Sequence, residues 1–219
     1  AAMRTLTPLE ARVLGVLVEK QHTVPDTYPL SLNALLAGCN QKTARDPVIG
    51  ATEAEALTAL DGLKSLSLVF EGSSSRVARY EHNMTRVCAL PAASAALLAT
   101  LMLRGPQTAA ELRQHSERLY RFADISSVEG FLDELAVKEP ARVLKLPRAP
   151  GAREARWAHL LCGEVSFDAA AAAGEGDAAG VSAGEIAALK AELLRLADEQ
   201  TRLRQWAQRV GVELGIDPP

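Results

Sequence analysis

Aromatic side chains make up only 4% of this 219-residue chain. Their scarcity argues against an aromatic-lined small-molecule pocket and for helices packed through Leu, Val and Ala. Cysteine is also sparse. Cys39, Cys88 and Cys162 are odd in number, far apart and without a CxxC pair, which excludes a disulfide framework and a zinc ribbon and points to a reducing compartment. Nowhere do eighteen apolar residues stand together, and the opening "AAMRTLTPLE" has no apolar run like a signal peptide, so the chain reads as cytoplasmic with no membrane partner. Catalytic signatures are missing too: there is no GxxxxGKS/T, GxSxG or HExxH. His159 and Cys162 in "HLLC" are two potential ligands, too few for a metal site, and His22, His82 and His115 have no nearby partner in sequence. No enzyme activity, cofactor or metal is expected.

What the chain does have is enough apolar content, 48%, to bury real cores, and a charge that is unevenly placed. The formal charge of −3 alone argues against nucleic acid. By segment the picture changes: residues 1–90 carry nine basic and nine acidic side chains, 91–163 ten and eight, 164–219 five and ten. The acidity sits in the tail.

Ser/Thr-x-x-Glu boxes recur at Thr7/Glu10, Thr52/Glu55, Thr108/Glu111, Ser126/Glu129 and Ser182/Glu185. In such a box the hydroxyl accepts from an orphan amide of the first helical turn and the carboxylate accepts from the cap's own amide, so each marks a helix start. The first helix is expected from Thr7, with Pro8 in its first position and Leu9, Val13, Val16 and Leu17 on one face. A short helix follows in "SLNALLAG", stopped by Gly38. A third starts at Thr52 with Ala54, Leu57, Leu60 and Leu63 inward. "LVFEG" and "RYEHN" read as strands of a hairpin around the Ser73-Ser74-Ser75 tip.

The same order returns: "AASAALLATLMLRG", "TAAELRQHS" and "SSVEGFLDELAVK" as helices, then "RVLKL" and "ARWAHLL" as strands around "PRAPGARE". Thr52 to Val69 and Ser126 to Val143 are spaced identically, a shift of 74. Three helices closed by a hairpin make a winged helix. The expected architecture is mainly α with small β-hairpins: two tandem winged-helix domains at 5–88 and 89–163, a flexible linker at 164–181 rich in Gly, Ala and acidic residues, and a C-terminal amphipathic or coiled-coil helix at 182–214. In that last helix Ile186, Leu189, Leu193, Leu196, Leu203 and Val210 recur at heptad spacing, with Gln200 and Ala207 in the same seam. The seam suits a homodimer; the alternative is a helix folded back on its own chain through Leu194 and Trp206.

Four blocks carry a resemblance: "TPLEARVLGVLVEK", "YPLSLNALLAGCNQKTARDPV", "RGPQTAAELRQHSERLYRFADISSVEGFLDELA" and "LPRAPGAREARWAHLLCGE". Over residues 6 to 164 the chain resembles the YceH-like family of bacterial proteins. The resemblance implies two tandem winged-helix domains and a cytoplasmic location, and it implies no activity. Thr43-Ala44 stand where the family pattern has Ser-Asn, so no role of that asparagine carries over.

For function, the exposed face of the first copy's third helix offers Glu53, Glu55, Thr58, Asp61 and Lys64, and that of the second Ser127, Glu129, Asp133, Glu134 and Lys138. Mostly acidic faces oppose phosphate attraction and conventional major-groove readout. The loops differ. Lys42 and Arg45 precede the first third helix, Arg76 and Arg79 flank the first wing, and Arg113, Arg118 and Arg121 lie on or after "TAAEL". The second wing holds Lys145, Arg148, Arg153 and Arg156 against one Glu154. Asn40 and Gln41 could read adenine, although capping the preceding helix or its loop suits them better. Two readings stand: a regulator contacting double-stranded DNA through basic wings and loops, or a winged-helix scaffold that binds another protein without DNA.

Overall fold

Thr7 opens the first helix as its box indicates. Its hydroxyl accepts from the Glu10 amide at 3.2 Å, and the Glu10 carboxylate accepts from the Thr7 amide at 2.8 Å. The computed structural model describes residues 3–72, 77–148, 151–165 and 200–202. Helix α1 spans Pro8–Thr23, α2 Leu32–Cys39 and α3 Glu53–Ser65. Strands β1 (Leu30–Ser31), β2 (Val69–Gly72) and β3 (Arg79–His82) form an antiparallel sheet in the order β1-β3-β2, with Leu30 opposite Tyr80 and Val69 opposite His82. The single turn α4 (Met84–Val87) leads to α5 (Ala92–Arg104), α6 (Ala109–His115) and α7 (Ile125–Ala136), then to the hairpin of β4 (Val143–Lys145) and β5 (Trp157–His159). The described chain is thus mainly helical with small antiparallel sheets. Gln107 and Trp157 exchange backbone hydrogen bonds at 3.0 and 2.7 Å, placing in the second half a counterpart of β1.

The residues up to Gly176 form one compact unit, and its core runs through both halves. Helix α1 shows why. Val13, Leu14, Val16, Leu17 and Val18 are all buried, more than the single apolar face expected of it, because α2 and α3 cover one side and α5 the other. A helix apolar most of the way round is a buried helix. Helix α5 is its match: Ala93 through Leu103 are enclosed, and Thr100 satisfies its hydroxyl by donating to the Ala96 carbonyl at 2.8 Å. The two helices meet closely at Gly15, where a Cβ would stand 3.0 Å from Leu103 Cγ. Each leucine enclosed this way contributes roughly 1.5–3 kcal/mol relative to exposure.

Several sequence expectations change. Helix α3 turns Ala56, Ala59, Leu60 and Leu63 inward, while Ala54 and Leu57 face solvent. The cap of α7 is Asp124, whose Oδ1 accepts from the Ser127 amide at 2.7 Å, so Ser126/Glu129 is not a capping box and the matching 74-residue spacing has no structural basis. Gly38 lies within α2, which runs on to Cys39. There it lets α2 approach α1, since a Cβ would stand 2.6 Å from Val16 Cγ1. Residues Gln200 to Arg202 are helical. The Ser182/Glu185 box, most of the 164–181 segment and the seam positions Ile186, Leu189, Leu193, Leu196, Leu203 and Val210 lie outside the described residues.

Candidate nucleic-acid interface

The second hairpin gathers three of the sequence-selected cations. Lys145 ends β4 with its Nζ 5.2 Å from the centroid of the Trp157 ring, a cation–π contact across the strand pair. Lys145, Arg148 and Arg153 line a recess of about 350 Å³ beside Trp157, with Glu129 and Glu154 also on its wall. All three cations are exposed, whereas Trp157 is buried. The indole fixes the base of the hairpin and the long cationic side chains reach outward from it.

Arg156 has a different task. Its guanidinium takes the Glu111 carboxylate in a two-point pair, Nη1 to Oε2 and Nη2 to Oε1 both at 3.0 Å, and Nη1 donates to the Pro106 carbonyl at 2.9 Å. Glu111 is also the box partner of Thr108. One carboxylate therefore joins the start of α6 to the hairpin, and Arg156 positions that hairpin.

The remaining candidates scatter. Arg45 is withdrawn from solvent: 1% exposed, it pairs with Glu19 through Nη1 at 3.1 Å and Nη2 at 2.6 Å, while its Nε donates to the Gly38 carbonyl at 3.0 Å. It is a core residue and offers no phosphate contact in this fold. Burial pushes the Glu19 carboxyl up, but the hydrogen bonds and charge of Arg45, with help from Lys20, outweigh it and hold the pKa below the ordinary value. Arg79, on the central strand β3, reaches the segment leading into β1, Nη1 donating to the carbonyls of Pro29 at 2.9 Å and Thr27 at 3.3 Å. Arg113 donates to the Ala123 carbonyl at 3.2 Å, and exposed Arg121 lies 3.7 Å from Glu117. Lys42 and Arg118 are exposed, and Arg76 lies outside the described residues. Asn40 clamps its loop, its Nδ2 donating to the Ala51 carbonyl and its Oδ1 accepting from the Ala51 amide, each at 2.8 Å.

On the third helices the exposed carboxylates fall where expected: Glu53, Glu55 and Asp61 on α3, Glu129, Asp133 and Glu134 on α7. Lys64 is neutralised by Asp61 at 2.9 Å and Glu71 at 2.8 Å. Burial lowers the pKa of both His82 and His159 to about 4, with His22 adding to the effect at His82. Among the described residues no group of three His, Cys, Asp or Glu side chains is placed to hold a metal, and no helix is long and apolar enough to cross a membrane.

Sequence reasoning missed Gln107. It is buried, its Nε2 donating to the Thr100 carbonyl at 3.2 Å and the Gly105 carbonyl at 3.1 Å, and its Oε1 meeting His115 Nδ1 at 2.6 Å. Its position after the helix-breaking Gly105-Pro106 was the available signal. Arg12 was missed as well, although a charged residue in the apolar run of α1 is a visible anomaly.

Residues 6–152 match the family described as a protein of unknown function, DUF480. The chain belongs to the DUF480 family. This agrees with the resemblance carried by the four sequence blocks. It is similar to UPF0502 proteins from Burkholderia multivorans, 68% identical over 216 residues covering 99% of this chain and 92% of that one, and from Leptothrix cholodnii, 66% identical over 216 residues covering 98% and 97%. A UPF0502 protein of Paraburkholderia xenovorans is 69% identical over 217 residues, covering 99% of this chain and 91% of the relative. The DUF480 span takes in Lys145 and Arg148 and ends at Ala152, one residue before Arg153.

Proposed function

We propose that this DUF480 protein is a DNA-binding regulatory protein built from tandem winged helices, contacting duplex through the basic second wing. The observation that carries the reading is the convergence of exposed Lys145, Arg148 and Arg153 on one recess anchored by Trp157. Lys145 ends β4, and Arg148 and Arg153 stand in the loop joining β4 to β5, where long cationic side chains can follow phosphates. The element order supports the winged-helix reading: each half has three helices and a hairpin, and in each a segment ahead of the second helix pairs with the hairpin. Acidic α3 and α7 faces put phosphate contact on the wing and not on the third helix. Winged helices commonly bind nucleic acid, and that part of the inference is by analogy of fold.

The test is fluorescence anisotropy with mixed-sequence duplex, comparing the natural chain with Arg148→Ala/Arg153→Ala. Loss of two phosphate contacts weakens binding and flattens the slope of log affinity against log salt by about 1.8. Unchanged affinity and slope would refute the assignment.

A second reading, an interaction scaffold, is favoured by the first half. Leu57 on α3 is 39% exposed and Phe70 on β2 46% exposed, beside acidic residues and with Arg45 buried. Exposed apolar side chains and carboxylates of this kind suit a protein partner better than DNA.

A further inference from the structure

The apolar seam at 186–210 takes no part in the basic hairpin. With Ile186 at position a of the heptad, position d holds Leu189, Leu196 and Leu203, and Gln200 falls at a. Ile at a over Leu at d is the arrangement that favours two strands. Of this seam Gln200 lies within the described residues, and there it is helical together with Thr201 and Arg202, and exposed. Asp177–Pro219 is a unit of its own. Helical stability in proteins comes mostly from packing of the apolar face, so a seam left open by its own chain needs a second one.

The flanking charges identify that second chain and its direction. Positions g hold Glu185, Glu192 and Glu199, and positions e hold Lys190 and Arg204. In a parallel pair of identical helices each g faces the e position five residues on in the other copy. Glu185 then meets Lys190 and Glu199 meets Arg204, each pairing made twice, and no like charges meet. In an antiparallel pair g faces g and e faces e, which sets glutamate against glutamate and Lys190 against Arg204. Gln200 acts in the same sense. Parallel and in register, it meets the Gln200 of the other copy, amide to amide, whereas a slip of one heptad buries it against Leu193 or Ala207.

We propose that residues 186–210 are an interface with a second copy of this chain, the two paired parallel and in register. The pairing goes beyond the DNA reading and does not rest on it, since a protein-binding scaffold would be joined by the same seam.

The experiment is sedimentation equilibrium of the full chain at tens of micromolar, followed by a crosslink that reads direction. The natural chain is expected at twice the 23.3 kDa of one copy. Leu189→Glu/Leu196→Glu is expected at the mass of one copy, with the amide NMR spectrum of residues 8–159 in place. For direction, Ile186→Cys is made in a Cys162→Ser background, where the remaining Cys39 and Cys88 are buried. A parallel pair in register brings the two substituted positions within the roughly 4.4–6.8 Å between Cα atoms that a disulfide needs. An antiparallel pair would hold them roughly 35 Å apart, at about 1.5 Å of rise per residue. Mild oxidation is therefore expected to convert nearly all of this variant to a covalent dimer. A natural chain that stays monomeric, a dimer that survives Leu189→Glu/Leu196→Glu, or a dimer in which Ile186→Cys fails to crosslink would each overturn the proposal.

Discussion

Replacing Arg45 with methionine tests the relocation of this residue from a phosphate-contacting loop to the core. The side chain is fully enclosed, and its guanidinium is held by Glu19, the Gly38 carbonyl and the Ala44 carbonyl. Methionine keeps most of the volume and removes every donor. Glu19, only 16% exposed at its side chain, would keep Lys20 at 3.3 Å as its remaining ionic partner. Breaking a buried pair from one side costs about 3–5 kcal/mol. For a protein of this size each kcal/mol moves the midpoint by about 2–4 °C, so Arg45→Met should melt about 6–20 °C below the natural chain. Adding Glu19→Met removes the stranded carboxylate and should recover much of that loss, since an apolar replacement of a whole buried pair is often near neutral. Thermal and urea unfolding measure both steps. The pair also has a pH signature: the lowered Glu19 pKa contributes stability that is present above the ordinary carboxylate value and lost as pH falls through the lowered one. An Arg45→Met protein of natural stability but weakened duplex binding would refute this account, because it would make Arg45 a surface cation.

Gly38→Ala should destabilise despite favouring the helix. A new methyl 2.6 Å from Val16 Cγ1 overpacks the α1–α2 contact by about 1–3 kcal/mol, against a helix-propensity gain of about 1 kcal/mol. Val16→Ala in the same chain should relieve the clash, and a double-mutant cycle by urea unfolding reads the coupling. Acid should weaken the fold before its carboxylates titrate fully. With His82 and His159 lowered to about 4 in the folded state, against about 6.5 unfolded, the unfolded chain binds more protons between those values. Their contribution is therefore complete above pH 6.5 or so and is lost as pH falls towards 4. Urea midpoints at pH 7 and pH 5 should differ less for His159→Leu than for the natural chain. Gln107→Leu should cost about 1–3 kcal/mol by removing the buried hydrogen bonds to the Thr100 and Gly105 carbonyls and to His115, measured the same way.

Much of the helical framework was legible because its signals are local. The boxes at Thr7, Thr52 and Thr108 each became a cap, since hydroxyl, amide and carboxylate lie within one turn of each other. Asp124 escaped because Ser126 offered a better-known pattern two residues on, while the aspartate caps with no glutamate to mark it. Strand β1 is two residues long and carries no alternation to read. The inward face of α3 was misassigned by small rotations that local spacing cannot fix once Leu57, an apolar residue, is left outside.

For the candidate interface, the basic segment around β4 and β5 was visible as composition, and what the fold added was the gathering of its cations beside Trp157. The fate of Arg45 was hidden, because its partner Glu19 lies 26 residues earlier on another element.

The most direct measurement of the central claim is a fluorescence-anisotropy titration of the natural chain with mixed-sequence duplex DNA at several salt concentrations. Contacts by Lys145, Arg148 and Arg153 predict binding whose log affinity falls with log salt at a slope of about −2.7. No binding even at low salt would contradict the regulator reading and leave a protein partner, met by exposed side chains such as Leu57 and Phe70, in its place.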